Sequence, residues 1–324
     1  MRFVLMTAAA TLAATAAFAE PSGKLMLYTS QPNADAQQTI DAFMAKYPDV
    51  EVEFFRDGTT KVMAKLAGEF AAGNPQPDLL LIADTVTMEG LEAEGRLMAY
   101  PEADTSAYDP TIMDDEGHYF STKLITTGIV YNTGADMKPA TYKDLLKPEA
   151  RGKIAIPSPL TSGAAAITMA TLTSNPELGW DYYEGLAEQD TLAQGGNGGV
   201  YRAVAGGEKL YGFVVDFLAI RNKEDGAPVD FVFPPLGVSS VTEPVAILST
   251  AKNTEAAKAF VDFLLSDDGQ QLAADQGYLP ALASITPPKG FPPRDEIKLM
   301  SFSPAEALKN DRENKIRFQD IFGD

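Results

Sequence analysis

The sequence predicts an α/β protein made of two doubly wound lobes that are joined by crossover strands. Short apolar strands alternate with amphipathic helices in both halves of the chain, and this alternation is typical of α/β folds. The segment DLLLIA at residues 78–83 is continuously apolar, as in a parallel sheet covered on both faces. The 324 residues also exceed what one hydrophobic core commonly serves, which favours two lobes of about 150 residues.

The first 19 residues have the layout of a secretory signal peptide. Arg2 precedes an apolar run at residues 3–18, and Ala17-Phe18-Ala19 forms a small-residue cleavage site. A membrane-spanning helix needs ~20 strongly apolar residues, whereas this run is shorter and rich in alanine. We therefore expect cleavage after Ala19 and a mature protein in the periplasm.

The composition argues against several functional classes. A formal net charge of −19 gives a surface that repels phosphate backbones and anionic lipids, so nucleic-acid binding is not expected. The chain has no cysteine, so it has no disulfide framework and no thiolate nucleophile. The exported protein must therefore be stabilised by its hydrophobic cores.

The first lobe begins with a βαβαβ pattern. A strand at residues 24–29 leads to a helix at 32–47, and a second strand follows at 49–55. Another helix opens at Thr59 and stops before Gly73, and the strand at 78–83 completes the unit.

The second lobe repeats this plan with strands at 123–131, 153–156, 210–215 and 229–233 and helices at 164–172, 180–187 and 200–205. A strand at 241–248 then leads out of this lobe, and an amphipathic helix at 254–265 is expected to pack back on the first lobe. These elements place lobe 1 at residues 20–122 plus 245–285, lobe 2 at 123–244, and a C-terminal segment packing on the lobes at 286–324.

Several segments, spread in one consistent order over nearly the whole mature chain, resemble a known family. They are LYTSQ at 27–31, PDLLLIAD at 77–84, GIVYNT at 128–133, RGKIAIPSPLTSGAA at 151–165, AILSTAKNTEAAKAFVDFLLSDDGQ at 246–270 and GYLP at 277–280. They are similar to periplasmic solute-binding proteins of ABC importers, in the branch that contains ferric-ion-binding and 2-aminoethylphosphonate-binding proteins.

The resemblance implies a type II periplasmic binding protein, monomeric, that holds a small solute between its lobes and delivers it to membrane permease subunits. The crossing strands would lie near residues 123–127 and 241–244. Loops at the carboxyl ends of strands are expected to supply the ligand contacts.

The iron-binding members of this branch use two adjacent tyrosines after a strand, often with an early histidine and a glutamate. Here Gln31-Pro32 stands where that histidine tends to lie, and Ala83-Asp84 stands near the place of the glutamate. The strand at 212–215 ends in Asp216-Phe217, without a tyrosine pair. The iron ligands are therefore missing, although a ferric-ion-binding protein stays an alternative.

An anion site is predicted where Thr161-Ser162-Gly163-Ala164 starts a helix. Such a start offers unpaired N–H groups, hydroxyls and the positive end of the helix dipole, which suit a phosphate, phosphonate or carboxylate. Asn197, in a glycine-rich loop, is a candidate amide donor to the same anion. The alternative interpretation of residues 161–164 is an ordinary N-cap. The alternative for the glycine-rich loop around Asn197 is a flexible turn.

Three carboxylates, Asp84, Asp216 and Glu243, follow or interrupt apolar strands, where an unpaired charge is costly. Facing an anion site, they would suit the amine of a zwitterion, so 2-aminoethylphosphonate is the preferred ligand. A sugar phosphate or a polyamine stays an alternative, and each carboxylate also fits a helix cap or an ion pair. The remaining candidate ligand-binding residues are Ser30, Gln31, Arg56 and Thr59.

An enzyme is not expected. The chain lacks a Gly-x-Ser-x-Gly elbow, a phosphate loop and an HExxH motif, so no catalytic residue, metal or cofactor is predicted. Its one histidine, His118, lies in a polar loop without an evident set of convergent ligands.

Overall fold

The computed structural model describes residues 20–323, so the predicted signal peptide lies outside the described residues. The strands are β1 (Gly23–Thr29), β2 (Val50–Arg56), β3 (Leu79–Leu81), β4 (Leu97–Met98), β5 (Tyr119–Ser121), β6 (Lys123–Asn132), β7 (Ile154–Ile156), β8 (Leu192–Ala193), β9 (Tyr211–Val215), β10 (Val229–Val232), β11 (Ser239–Val241), β12 (Pro244–Leu248) and β13 (Leu279–Pro280). The helices are α1 (Asn33–Lys46), α2 (Thr59–Ala71), α3 (Thr85–Ala93), α4 (Gly163–Ser174), α5 (Gly179–Glu188), α6 (Asn197–Ala205), α7 (Asp216–Glu224), α8 (Thr254–Leu265), α9 (Asp267–Asp275) and α10 (Pro304–Phe322). Across residues 20–323, every helix is too short or too polar to serve as a bilayer span.

A six-stranded sheet forms the first α/β unit, which we call lobe 1. Its order is β2-β1-β3-β12-β4, and β5 also pairs with β12. β1 runs parallel to β2 and β3, whereas β12 runs antiparallel to β3. Alternate side chains of β1 enter different cores, because Leu25 and Leu27 pack with α1 and α8 on one face and Tyr28 packs with α2 on the other.

A seven-stranded sheet forms the second unit, lobe 2. Its order is β10-β6-β9-β7-β8, and β11 and β13 pair with β6. All ten residues of β6 are buried, as expected for the central strand of a sheet that helices cover on both faces. The predicted α/β fold with two wound lobes is therefore confirmed.

Two short crossovers connect the sheets. The chain passes from β5 to β6 through Thr122 and returns from β11 to β12 through Thr242 and Glu243. The N–H groups of Thr122 and Lys123 both donate to the Thr242 carbonyl, at 3.2 and 3.1 Å. The prediction of one continuous strand at 241–248 was wrong, since Glu243 has a positive φ of 39° and breaks the ladder there.

The C-terminal helix α10 contacts both lobes. Leu308 lies beside Gly90 of α3 in lobe 1, while the Phe318 ring packs 5.9 Å from the Tyr183 ring of lobe 2. The Arg317 guanidinium lies 4.7 Å from the ring centroid of Trp180, the only tryptophan of the chain. α10 is thus seated on α5 at one end and reaches across to α3 at the other.

A buried carboxylate, Asp78, links β3, β1 and the loop before α8 in lobe 1 by hydrogen bonds. It accepts hydrogen bonds from the N–H groups of Met26 on β1 at 2.8 Å, Lys252 at 2.6 Å and Asn253 at 3.2 Å. Its position at the start of β3 fixes that strand against β1 and against the loop that precedes α8.

Replacing Asp78 with alanine should lower the free energy of unfolding by about 3 kcal/mol, because three backbone donors lose a charged acceptor. Urea denaturation of a protein comprising residues 20–324 measures this change. Glu51→Ala removes an exposed carboxylate from the same lobe and should cost less than about 0.5 kcal/mol. Equal losses in the two variants would contradict the role of Asp78.

Candidate functional site

A cleft of about 610 Å³ lies between the lobes. Lobe 1 contributes Ser30, Pro32, Arg56, Asp57, Gly58, Thr59, Thr60, Lys61 and Ala83; lobe 2 contributes Ile125, Thr161, Ser162, Ala164, Gly195, Gly196, Asn197, Gly198, Gly199, Arg202, Val215, Phe217 and Leu218; Glu243 of the crossover completes the lining. Of the predicted site residues, Ser30, Arg56, Thr59, Thr161, Ser162, Ala164, Asn197 and Glu243 therefore lie in this cleft.

Five of the described helices have their N-cap residue in the cleft lining, and three of them, α2, α4 and α6, also place glycine or hydroxyl residues there. α2 starts from lobe 1, and α4 and α6 start from lobe 2. Within residues 20–323, the N–H groups of Thr60, Ala164 and Gly198 donate to no backbone or side-chain acceptor, as is usual for the first turn of a helix. These three helices direct the positive ends of their dipoles and several free donors at the cleft, an arrangement that stabilises an anion.

Hydrogen bonds align the two helix starts of lobe 2. Asn197 donates from Nδ2 to Ser162 Oγ at 3.1 Å and accepts at Oδ1 from the Val215 N–H at 3.1 Å. Thr161 Oγ1 donates to the Gly195 carbonyl at 2.7 Å. These side chains form their hydrogen bonds with each other and with the backbone. The donors that remain free toward the cleft are therefore chiefly backbone N–H groups.

Three cationic side chains line the cleft, and they differ in the protein groups that they already contact. Arg56 Nε donates to the Gln31 carbonyl at 2.6 Å, which holds its guanidinium along the lobe 1 wall. Lys61 Nζ lies 3.6 Å from Asp57 Oδ1. Within the described chain, Arg202 has neither an ion pair nor a side-chain hydrogen bond, so its charge is available to a ligand.

Glu243 lines the cleft but is already neutralised. Its Oε2 lies 2.8 Å from Lys123 Nζ and accepts a hydrogen bond from Gln31 Nε2 at 3.3 Å. Both charged side chains are only 3% exposed, so the pair is enclosed by protein. Gln31 itself is fully buried behind the lining and acts as a partner of Glu243.

The structure places Asp84 and Asp216 away from the cleft lining, against the prediction that they face it. Asp84 caps α3, accepting from Thr87 N at 3.1 Å and from Thr87 Oγ1 at 2.5 Å, and burial raises its pKa. Asp216 accepts from Thr126 N at 2.9 Å, Thr126 Oγ1 at 2.7 Å and Phe217 N at 2.6 Å. Both carboxylates therefore serve the backbone.

Gly163 also lies outside the lining. A Cβ at this position would stand 2.6 Å from the carbonyl oxygen of Ala83, so Gly163 packs against lobe 1 and is not open to a ligand.

Sequence analysis missed the cations Lys61 and Arg202 and most of the glycine-rich loop. Arg202 lies on α6, five residues after Asn197, and Lys61 follows Thr59 and Thr60 in the first turn of α2. A basic residue within two turns of a polar helix start after a strand was the available signal.

His118 lies in lobe 1, outside the cleft. Its Nδ1 is 3.1 Å from Glu92 Oε1 and 3.6 Å from Asp114 Oδ2, and Asp114 also accepts from the His118 N–H at 2.7 Å. These contacts close the loop before β5.

Burial raises the pKa of Asp216 to about 7, above the ordinary value of about 4. Between these two values the folded state binds this proton more tightly than the unfolded state. The contribution of Asp216 to the free energy of unfolding therefore falls as the pH rises from about 4 to about 7.

Asp216→Asn removes this titration. Between about pH 5 and pH 7.5, wild type should lose stability relative to the variant, as measured by urea denaturation at each pH. Asp41→Asn, at an exposed site on α1, serves as the control and should track wild type. A constant difference between wild type and Asp216→Asn would show that Asp216 stays ionised throughout.

Comparisons with known proteins agree with this architecture. Residues 25–279 match the family described as bacterial extracellular solute-binding protein. The probable ABC transporter periplasmic-binding protein y4fP of Sinorhizobium fredii is 25% identical over 320 residues, which cover 94% of this chain and 87% of that protein.

Two of the solved structures with a similar fold cover most of this chain. The periplasmic binding protein AfuA from Actinobacillus pleuropneumoniae, with exogenous fructose-6-phosphate bound, has a TM-score of 0.81 and 25% identity and covers 93% of this chain and 98% of its own. Iron-bound HitA from Pseudomonas aeruginosa has a TM-score of 0.78 and 21% identity, with 92% and 99% coverage, and shares the fold. The fold is that of a type II periplasmic binding protein, and the chain belongs to the family of bacterial extracellular solute-binding proteins.

Proposed function

We propose that this protein is the periplasmic solute-binding component of an ABC importer and that its cleft captures a small solute bearing a phosphate or phosphonate group. The similarity to y4fP, a probable ABC transporter periplasmic-binding protein, supports the transport role and implies membrane permease subunits as partners. The cleft residues support the class of solute.

The convergence of three helix starts on one cleft carries the proposal. An anionic head group there would accept hydrogen bonds from the N–H groups of Ala164 and Gly198 and would meet the unpaired guanidinium of Arg202. Such local donors oppose the strongly negative charge of the whole protein, because fixed dipoles and cations at short range dominate a site.

The state of the carboxylates at the cleft favours a solute that carries no positive charge beside its anionic group. Glu243 is neutralised by Lys123, and Asp84 and Asp216 do not reach the cleft, so the amine partners expected for 2-aminoethylphosphonate are largely absent. Hydroxyl groups of a sugar phosphate would instead meet polar groups such as Ser30, Thr59 and Thr60. The similarity to AfuA with fructose-6-phosphate bound supports this choice.

One observation keeps 2-aminoethylphosphonate as a second candidate. Asp57 lines the cleft with its side chain 38% exposed, and its separation of 3.6 Å from Lys61 exceeds a hydrogen bond. An amine of a zwitterion would compete with Lys61 for this carboxylate.

Ferric ion and polyamines fit the cleft less well. Among the lining residues of the described chain there is no tyrosine or histidine, and both carboxylates have a lysine beside them. Three helix starts also disfavour a polycation, since their N–H groups repel positive charge.

A thermal-shift panel tests the proposed solute class. Fructose 6-phosphate should raise the melting temperature of the mature protein most, and 2-aminoethylphosphonate should follow, because a ligand that binds only the folded state stabilises it. Inorganic phosphate should bind weakly, and ferric citrate and spermidine should give no shift. A large shift with ferric citrate alone would overturn the proposal.

Arg202→Ala should weaken binding of the phosphorylated solute about 10- to 100-fold in calorimetric titrations, since it removes a charge-assisted contact. Arg312→Ala is the matched control, because it removes the same charge from exposed α10, outside the cleft. Equal affinities for the two variants would exclude Arg202 from the anion site.

A further inference from the structure

Two glycines bring the backbones of the lobes into direct contact beside the cleft. Gly163 is the first residue of α4 in lobe 2, and a Cβ built on it would lie 2.6 Å from the Ala83 carbonyl oxygen and 2.7 Å from Asp84 Cβ in lobe 1. Gly58 of lobe 1 faces lobe 2 in the same way, since its Cβ would lie 3.1 Å from the Thr161 carbonyl oxygen. We call these two contacts the glycine seam.

The seam borders the cleft and is packed from behind. Gly58, Ala83 and Thr161 all line the cleft, so the contacts set the separation of its two walls. Near Gly163, Val86 of α3 belongs to one buried apolar cluster with Ala164 and Ile167 of α4. The obstructing atoms are backbone and Cβ atoms of folded elements, which do not move aside as a flexible side chain would.

Only the contact between the two lobes requires a glycine at position 163. Gly163 does not have a left-handed φ, and alanine is a better helix former than glycine, so lobe 2 alone accepts an alanine there. The same methyl group would overlap Ala83 and Asp84 when the lobes are in contact.

We propose that Gly163 is a positioning residue for ligand capture: its missing side chain sets how closely lobe 2 approaches lobe 1, and the closed cleft requires that approach. The role rests on the proposed function insofar as affinity for a solute reports closure. Gly58 has a milder form of the same role, because its Cβ would be less crowded.

Gly163→Ala should therefore fold as well as wild type yet bind fructose 6-phosphate about tenfold more weakly or worse in calorimetric titrations. Gly68→Ala is the matched control, since Gly68 lies inside α2 with no atom within 4 Å of its Cβ position, and its affinity should equal that of wild type. Gly58→Ala should show a smaller loss than Gly163→Ala.

A distance measurement separates this role from a direct ligand contact. The chain has no cysteine, so Ala67→Cys and Glu208→Cys place spin labels on exposed sites of lobe 1 and lobe 2 alone. With fructose 6-phosphate at saturation, wild type should populate one short distance between the labels, and Gly163→Ala should shift toward longer distances even when fully occupied.

Unchanged affinity and an unchanged distance distribution in Gly163→Ala would overturn the inference. Lost affinity with an unchanged distance distribution would also overturn it, because the methyl group would then act on the ligand itself. If wild type binds none of the panel solutes, the proposed solute class is wrong. The distance distributions measured without ligand still test the role of Gly163, because the shortest distances between the labels should be depleted in Gly163→Ala.

Discussion

The two-lobed structure depends on the buried ion pair of Lys123 and Glu243, which lies where the chain crosses between the lobes. Glu243 belongs to one crossover and Lys123 begins β6 directly after the other, and the Lys123 ammonium also lies 4.2 Å from the ring centroid of Tyr278. Loss of either charge would leave the other buried and uncompensated, which costs about 3–5 kcal/mol in comparable pairs. The pair therefore joins the lobes and, at the same time, removes from the cleft the carboxylate best placed to recognise an amine.

The two lobes prepare the cleft differently. In lobe 2, hydrogen bonds from Asn197 and Thr161 lock the starts of α4 and α6 together before any solute is present. Lobe 1 contributes the start of α2, and Arg56 is held against its own backbone. A preorganised anion site on one wall and a simpler wall opposite suit a protein that must bind and then release its cargo.

Local patterns predicted most of this fold, because strand ends and helix starts are encoded by nearby residues. β1, α2 and β9 lie within one or two residues of their predicted limits. The break at Glu243 could not be predicted, since it depends on the crossover partner Thr122, 121 residues away. In the site, the helix start at Ser162 was visible in the sequence, whereas the inward or outward direction of Asp84 and Asp216 depends on tertiary packing. Asp84 caps its own helix, as carboxylates beside helix starts commonly do, whereas Asp216 accepts from Thr126, which is 90 residues away on β6.

The location of Trp180 has a practical consequence for spectroscopy. The indole lies on α5 beneath the Arg317 guanidinium of α10 and is absent from the cleft lining. Because no second tryptophan exists in the chain, the intrinsic indole emission of this protein reports the seating of α10 on lobe 2. A solute that settles in the cleft without disturbing that helix will leave the emission spectrum unchanged, however tightly it is held.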